Sequence, residues 1–271
     1  MKFALNQMTT RNLDYVAFLD FAQALGCVGV EVRNDLGRPL FDGMDPGQAG
    51  DMARARGLRL LGMSEVYAFN DWSDDIRAKV DTIIAAAKAS GAETISLIPR
   101  NDGTQSGNGE RQANLRIALK EVLPMLEAAD MTALVEPLGF GRSSLRSKQE
   151  LVEVIEALGA EHRYKLVHDT FHHTLAEGGP LFPDQTGIVH ISGVVDPDLS
   201  IDQMEDEHRV LVDANDRLGN IEQIRALLAA GYDGAISYEC FAPEIHALDD
   251  PLSALKRSFE FITSELQAKA A

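Results

Sequence analysis

Along the chain, short runs of apolar and β-branched residues alternate with longer stretches whose apolar positions recur every three or four residues. KFALNQ, GCVGVEVR, LRLLGMS, TISLIPR, TALVEPL, YKLVHD, GIVHIS and AISYECF have the length and composition of buried strands. Between them, stretches such as LDYVAFLDFAQALG and AKVDTIIAAAKASG repeat at helical spacing. Strands apolar on both faces and separated by amphipathic helices belong in a parallel sheet with its outside covered. Strand followed by helix, eight times in 271 residues, predicts a closed (β/α)8 barrel rather than an open doubly wound sheet, with residues 1–271 forming one α/β domain.

Local punctuation agrees. Ser147 with Glu150, and Asn220 with Gln223, have the spacing of a reciprocal helix N-cap. Gly26, Gly57, Gly91, Gly159 and Gly231 each follow a helical run and precede a strand, where a residue at positive φ ends the helix. Pro251 after Asp249 and Asp250 marks the start of the last helix. The sixth helix is expected to be short, because FHHTLAEGG runs directly into the turn-rich GGPLFPDQ. The longest irregular segment, residues 194–219, follows strand seven on the face where such barrels carry their sites.

Candidate chemistry enters at the strand ends. Glu136 in TALVEPL, Asp169 in YKLVHD, His190 in GIVHIS and Glu239 in AISYECF would meet at the carboxyl rim of a closed barrel. Three carboxylates held together repel one another, and a divalent cation removes that penalty. Any one of the four reads equally well as a salt-bridged surface residue, but their succession on consecutive strands favours a metal site. Hard oxygen donors with one imidazole suit Mn²⁺, Mg²⁺ or Co²⁺ and permit Zn²⁺; Mn²⁺ is the first expectation. A structural zinc site would be closed by Cys and His, whereas this set leaves positions open for substrate oxygens.

Composition narrows the partners. A formal net charge of −17 repels phosphate backbones and anionic headgroups, so neither nucleic acid nor a membrane surface is an expected partner. Cys27 and Cys240 supply neither a disulfide framework nor a cysteine-rich zinc site, and a reducing cytoplasm is the expected location. MKFALNQMTT lacks the apolar core of a signal peptide, so no export leader is expected.

Taken together, FALNQMTT, GVEVRN, ALVEPLGF, LVHDTFHH, IVHISG, the basic HRV segment and SYECFAPE resemble the xylose-isomerase-like TIM barrel sugar isomerase/epimerase superfamily over essentially the whole chain, most closely its inosose (2-keto-myo-inositol) isomerase branch. The resemblance implies that Glu136, Asp169, His190 and Glu239 hold the metal. It also implies that Glu136 and Glu239 form the acid/base pair, with His172 and Arg209 on substrate oxygens; Asn6 of FALN and Arg142 complete the expected substrate contacts. The implied reaction is isomerisation or epimerisation of a small polyhydroxy ketone through an enediolate, which needs a base, an acid and positive charge where the oxyanion develops. Barrels of this kind often form homo-oligomers, and no sequence pattern here fixes a number.

Three departures shape the alternatives. The ketose 3-epimerases of the superfamily carry a second glutamate shortly after the first metal glutamate, where this loop reads GFGRSSLRS; this argues against epimerisation of a free ketose. Arg33, Arg100 and Arg142 lie just past strand ends and raise a rival reading, an anionic substrate such as a sugar phosphate or oxo-acid, although pairing with Glu31, Asp35 or Asp102 explains them equally well. Dehydration of a keto-polyol or decarboxylation of an oxo-acid uses the same kind of site. A DNA-repair endonuclease would need further ligands and a basic face, which seven histidines and a charge of −17 do not favour. Cys240, one position from Glu239, should point away from the metal, and Trp72 serves either as a polyol wall or as a helix-start staple.

Overall fold

The computed structural model describes residues 1–105 and 107–268. Eight parallel strands, β1 (Phe3–Asn6), β2 (Gly29–Arg33), β3 (Arg59–Tyr67), β4 (Thr94–Ile98), β5 (Thr132–Val135), β6 (Tyr164–Asp169), β7 (Thr186–Ile191) and β8 (Ile236–Tyr238), pair in chain order, and β8 closes on β1. The helices α1 (Tyr15–Leu25), α2 (Pro46–Ala55), α3 (Asp74–Ser90), α4 (Asn108–Ala129), α5 (Lys148–Leu158), α6 (Thr170–Leu175) and α7 (Asn220–Ala229) follow β1 to β7 in turn. After β8 come a single turn, α8 (Pro243–His246), and the closing helix α9 (Pro251–Ala268). The expected (β/α)8 barrel is the observed one.

Alternation along each strand decides what faces inward. Ala4, Leu61, Leu134, Val167, Ile188 and Ala235 fill the lower barrel. Because side chains two apart share a face, the next inward positions are Asn6 after Ala4, Glu136 after Leu134, Asp169 after Val167 and His190 after Ile188. On the eighth strand, Ser237 and then Glu239 follow Ala235. The apolar plug thus seals the bottom and polar groups line the top. The intervening residues, among them Val30, Val32, Val135, Leu166, Val189 and Tyr238, pack outward under the helices. Each such buried aliphatic contributes about 1.5–3 kcal/mol.

Helix ends follow their sequence signals except at α7, and at α5 the expected reciprocal cap forms in one direction only, the Glu150 carboxylate pairing with Arg111. Asp14 caps α1 by accepting from Ala17 N at 2.8 Å, Ser147 Oγ accepts from Glu150 N at 3.2 Å, and Gly26, Gly57, Gly91, Gly159 and Gly231 all take positive φ. At α7 the expected Asn220–Gln223 cap does not form. Gly219 holds the N-cap position at φ 70°, and the Asp216 carboxylate accepts from both Asn220 N (2.9 Å) and Asn220 Nδ2 (3.0 Å). A carboxylate is the stronger partner for a helix N-terminus and displaces the neutral amide. Gln223 is freed to donate to Thr170 O and Leu218 O, tying α7 to α6.

The sixth helix is short as expected, six residues ending at Leu175. The long segment after β7 is pinned rather than loose: Gly193 and Val210 exchange two backbone hydrogen bonds of 2.7 and 2.8 Å, and Met204, Val212 and Leu218 are buried. That anchor fixes Arg209 over the barrel mouth. Trp72 packs on the core at the start of α3 with Arg77 over its ring at 5.4 Å, the staple arrangement. Cys240 is buried with Sγ directed to Val210 O.

Candidate metal centre

Glu136, Asp169, His190 and Glu239 come together at the carboxyl end of the barrel, with one potential ligand atom from each lying within 4.8 Å of the others. None is more than 5% exposed, so water does little to separate their charges. His190 Nδ1 faces the acids, at 3.3 Å from Glu239 Oε2, 3.8 Å from Glu136 Oε1 and 4.0 Å from Asp169 Oδ2.

The other side of the imidazole decides its chemistry. His190 Nε2 lies 3.0–3.1 Å from both oxygens of Glu31, a fully buried residue that also accepts from Ser237 Oγ at 2.6 Å. A carboxylate against Nε2 keeps a proton there and turns Nδ1 toward the acids, the arrangement by which proteins orient a metal-bound histidine. Glu31 was not among the residues expected at the site. The available signal was its position in GVEVR, an acidic residue between two outward valines and therefore inside the barrel. Glu31→Gln is expected to weaken divalent-metal binding about 10-fold, measured by competition with a chromophoric chelator; unchanged affinity would show that Glu31 does not hold the ring.

Burial pushes the Glu136 carboxyl above its ordinary range, and its acidic neighbours add to the effect while His190 opposes it. Burial also opposes ionisation of Glu239, but His190, Arg209 and Arg33 outweigh it and hold that carboxyl well below its usual range. For His190, burial disfavours the imidazolium, yet Glu31 and Glu239 more than compensate and raise it well above the ordinary value. The residues fit a divalent cation by one further criterion: Glu136 Oε1 and His190 Nδ1 are buried with no hydrogen-bond partner, and both point into the cluster.

Two buried guanidiniums brace the acids. Arg209, 1% exposed, donates to Asp169 Oδ2 (2.5 Å), Glu239 Oε2 (3.2 Å) and Ser192 Oγ (3.0 Å). Arg33 donates to Glu239 Oε1 at 2.7 Å and grips Asp35 through two bonds. Both border a cavity of about 180 Å³ that is also lined by Glu136, Glu239, His172, Glu65, Phe140 and Phe241. His172 is set there by its own backbone N–H on Asp169 Oδ1 (3.0 Å) and by Gly139, where a Cβ would sit 2.3 Å from His172 O.

Two of the expected substrate contacts are engaged elsewhere. Asn6 donates to Glu239 Oε1 at 3.1 Å and accepts from Met8 N at 3.0 Å, so both ends of its amide position the backbone and the glutamate instead of reaching the cavity. Arg142 is half exposed, stacks over Phe140 and is paired bidentately with Glu205 at 2.6–2.7 Å, a geometry that satisfies its planar fork without any ligand. Arg100 likewise holds Asp71 and Asp102. Glu65 is an unforeseen member of the cavity wall. Burial lifts its carboxyl to about 7, against the pull of Arg33.

The sequence profile of the xylose isomerase-like TIM barrel family matches residues 19–265. The chain belongs to that family. Its barrel superimposes on a xylose isomerase domain containing protein from Salmonella typhimurium LT2 with a TM-score of 0.89 at 28% identity, covering 98% of this chain and 97% of that one. The barrel is also similar to a structure of the IOLI protein with a binding zinc atom, at a TM-score of 0.85 and 17% identity over 98% of this chain and 99% of that one. A D-psicose 3-epimerase from Clostridium cellulolyticum H10 aligns at a TM-score of 0.75 and 16% identity, over 98% and 99% of the two chains. No curated protein matches the sequence. Proteins that share this fold thus include epimerases. No helix among the described residues is long and apolar enough to cross a membrane.

Proposed function

We propose that the protein is a divalent-metal-dependent isomerase or epimerase of a small, uncharged polyhydroxy ketone of the inosose or keto-sugar class. The observation that carries this reading is the pair of buried atoms without a hydrogen-bond partner, Glu136 Oε1 and His190 Nδ1, within a four-residue donor cluster that opens on a cavity of sugar size. Glu136, Asp169, His190 and Glu239 would hold the cation, with Mn²⁺ preferred and Mg²⁺, Co²⁺ or Zn²⁺ compatible with the same donors. When bound, the cation supplies positive charge where the substrate carbonyl becomes an enediolate.

The chain's own groups account for the remaining steps. Glu136 and Glu239 both border the cavity, so one can take the proton beside the carbonyl and the other return it. Arg209 and His172 present donors toward the same space and orient substrate hydroxyls. Phe140 and Phe241 exclude water from the apolar face of the ring. Asn6 and Arg33 keep Glu239 in place.

Charge favours a neutral substrate over a sugar phosphate or oxo-acid. The cavity is lined by five carboxylates, Asp35, Glu65, Glu136, Asp206 and Glu239, against the guanidiniums of Arg33 and Arg209, both already paired. Even with a divalent cation in place the wall carries no net positive charge, and the arginines that suggested an anionic guest are occupied. Proton NMR in D₂O across inososes, ketoses and their phosphates should show deuterium entering one carbon of a neutral ketone. Chelation should stop the exchange and added Mn²⁺ restore it. Exchange that survives complete metal removal, or appears only with phosphorylated substrates, would sink this reading.

A further inference from the structure

A second cavity, of about 270 Å³, opens beside the first and shares His172 with it. Its wall is built from the first turn of α5, the short α6 and the glycine-containing segment that follows α6. Nothing in the proposed reaction uses it.

Its cations are unusual for this chain. Arg33, Arg59, Arg100, Arg142 and Arg209 each face a carboxylate, as expected of a protein with 42 acidic residues. Lys148 and Arg146, both lining the second cavity, have no carboxylate partner among the described residues. Arg146 donates only to the carbonyls of Gly139 and Leu175, at 2.9 Å each, which leaves Nη1 without a bond.

Lys148 meets only an imidazole, and the direction of that bond follows from its surroundings. The Gln223 amide nitrogen donates to Thr170 O and Leu218 O, so its oxygen is the atom that accepts from His168 Nε2 at 2.9 Å. Nε2 therefore carries the ring proton and Nδ1 accepts from Lys148 Nζ at 2.7 Å. Two N–H bonds of the ammonium remain without an acceptor. Burial pulls this lysine down to about 7, and the Asp169 carboxylate, which acts against burial without bonding to it, does not restore the ordinary value.

Other groups point the same way. The N–H groups of Lys148 and Gln149 in the first turn of α5 make no backbone hydrogen bond, at the positive end of an eleven-residue helix. His173 lines the cavity, is 8% exposed, and its Nδ1 has no partner. The one carboxylate on the wall, Asp169, is already held by Arg209 and the His172 N–H.

We propose that this cavity is a second ligand site for a small oxyanion, the phosphate or carboxylate group of a metabolite, gripped by Lys148, Arg146 and the first turn of α5. The site does not depend on the reaction proposed above, and its binding can be read without turnover. Titration of the metal-loaded, full-length protein with inorganic phosphate, followed by calorimetry, should show one saturable site with a dissociation constant at or below about 1 mM. Lys148→Met and Arg146→Gln should each weaken it by about 10-fold or more, with metal affinity unchanged. In wild type, the Lys148 Nζ resonance should move along the same titration curve, which keeps the test decisive even if a variant fails to fold. Competition by phosphate against turnover of a phosphorylated polyol would assign the site to a distal group of the substrate. A non-competitive effect on a neutral polyol would assign it to a separate effector. Absence of saturable binding, or equal binding by wild type and both variants with no movement of the Lys148 signal, overturns the proposal.

Discussion

Glu136→Gln and Glu239→Gln are each expected to lower kcat by about 1000-fold at saturating metal, with the far-ultraviolet circular dichroism of the folded barrel retained. Glutamine keeps the shape and one oxygen donor of glutamate but cannot accept or return a proton, so the change isolates acid–base chemistry from packing. The geometry makes the two effects similar in size, because both side chains border the same cavity and both touch the His190 imidazole. Metal content has to be measured alongside, since each glutamine also removes charge from the donor cluster. Activity within about tenfold of wild type in either variant, with metal bound, would remove that residue from the proton-transfer step.

Arg209→Met should have the largest effect on stability. The guanidinium is fully buried and joins Asp169 to Glu239, and taking away one partner of such a network leaves charge stranded in the interior, at a cost of about 3–5 kcal/mol. The same residues are the proposed donors to a divalent cation. Saturating Mn²⁺ should therefore recover part of the loss, because the cation supplies the positive charge the guanidinium no longer gives. Urea unfolding with and without metal tests both statements. A loss smaller than about 1 kcal/mol in the metal-free protein would show that the acids are relieved in some other way.

How much of the site was legible in advance can be traced through single residues. Glu136, Asp169 and His190 each lie two positions after an apolar residue, Leu134, Val167 and Ile188, that plugs the barrel; Glu239 lies two after Ser237, itself two after Ala235. The strict period of two in a strand carries that apolar signal inward and upward, which is why the four could be named from the sequence. The same rule applied to GVEVR would have placed Glu31 inside. Its nearness to Arg33 in the sequence suggests a surface ion pair, and strand alternation, not that nearness, decides where it points. Asn6 and Arg142 both lie at the expected end of the barrel, where Glu239 and Glu205 occupy their polar atoms. The sequence does not indicate which of two eligible partners a side chain will meet. Arg209 lies three residues after Asp206 and does meet it, at 3.3 Å, but an exposed pair of that kind is not its main setting. The Gly193–Val210 bridge instead folds its loop over the mouth and buries it against Asp169 and Glu239.

From the sequence alone came the alternation of strand and helix, the closing glycines, the barrel, and the strand ends at which acids and an imidazole collect. These are consequences of local periodicity and backbone freedom, which act over a few residues and leave their record in the order of the chain. Tertiary structure alone decided that Glu31 orients His190, that Arg33 and Arg209 brace the acids, that Arg100 and Arg142 are already paired, and that Lys148 and Arg146 share a cavity with no carboxylate left for them. Charge pairing acts through space over a few ångströms between residues as distant in sequence as Arg33 and Glu239, 206 positions apart. Only closure of the barrel sets those distances.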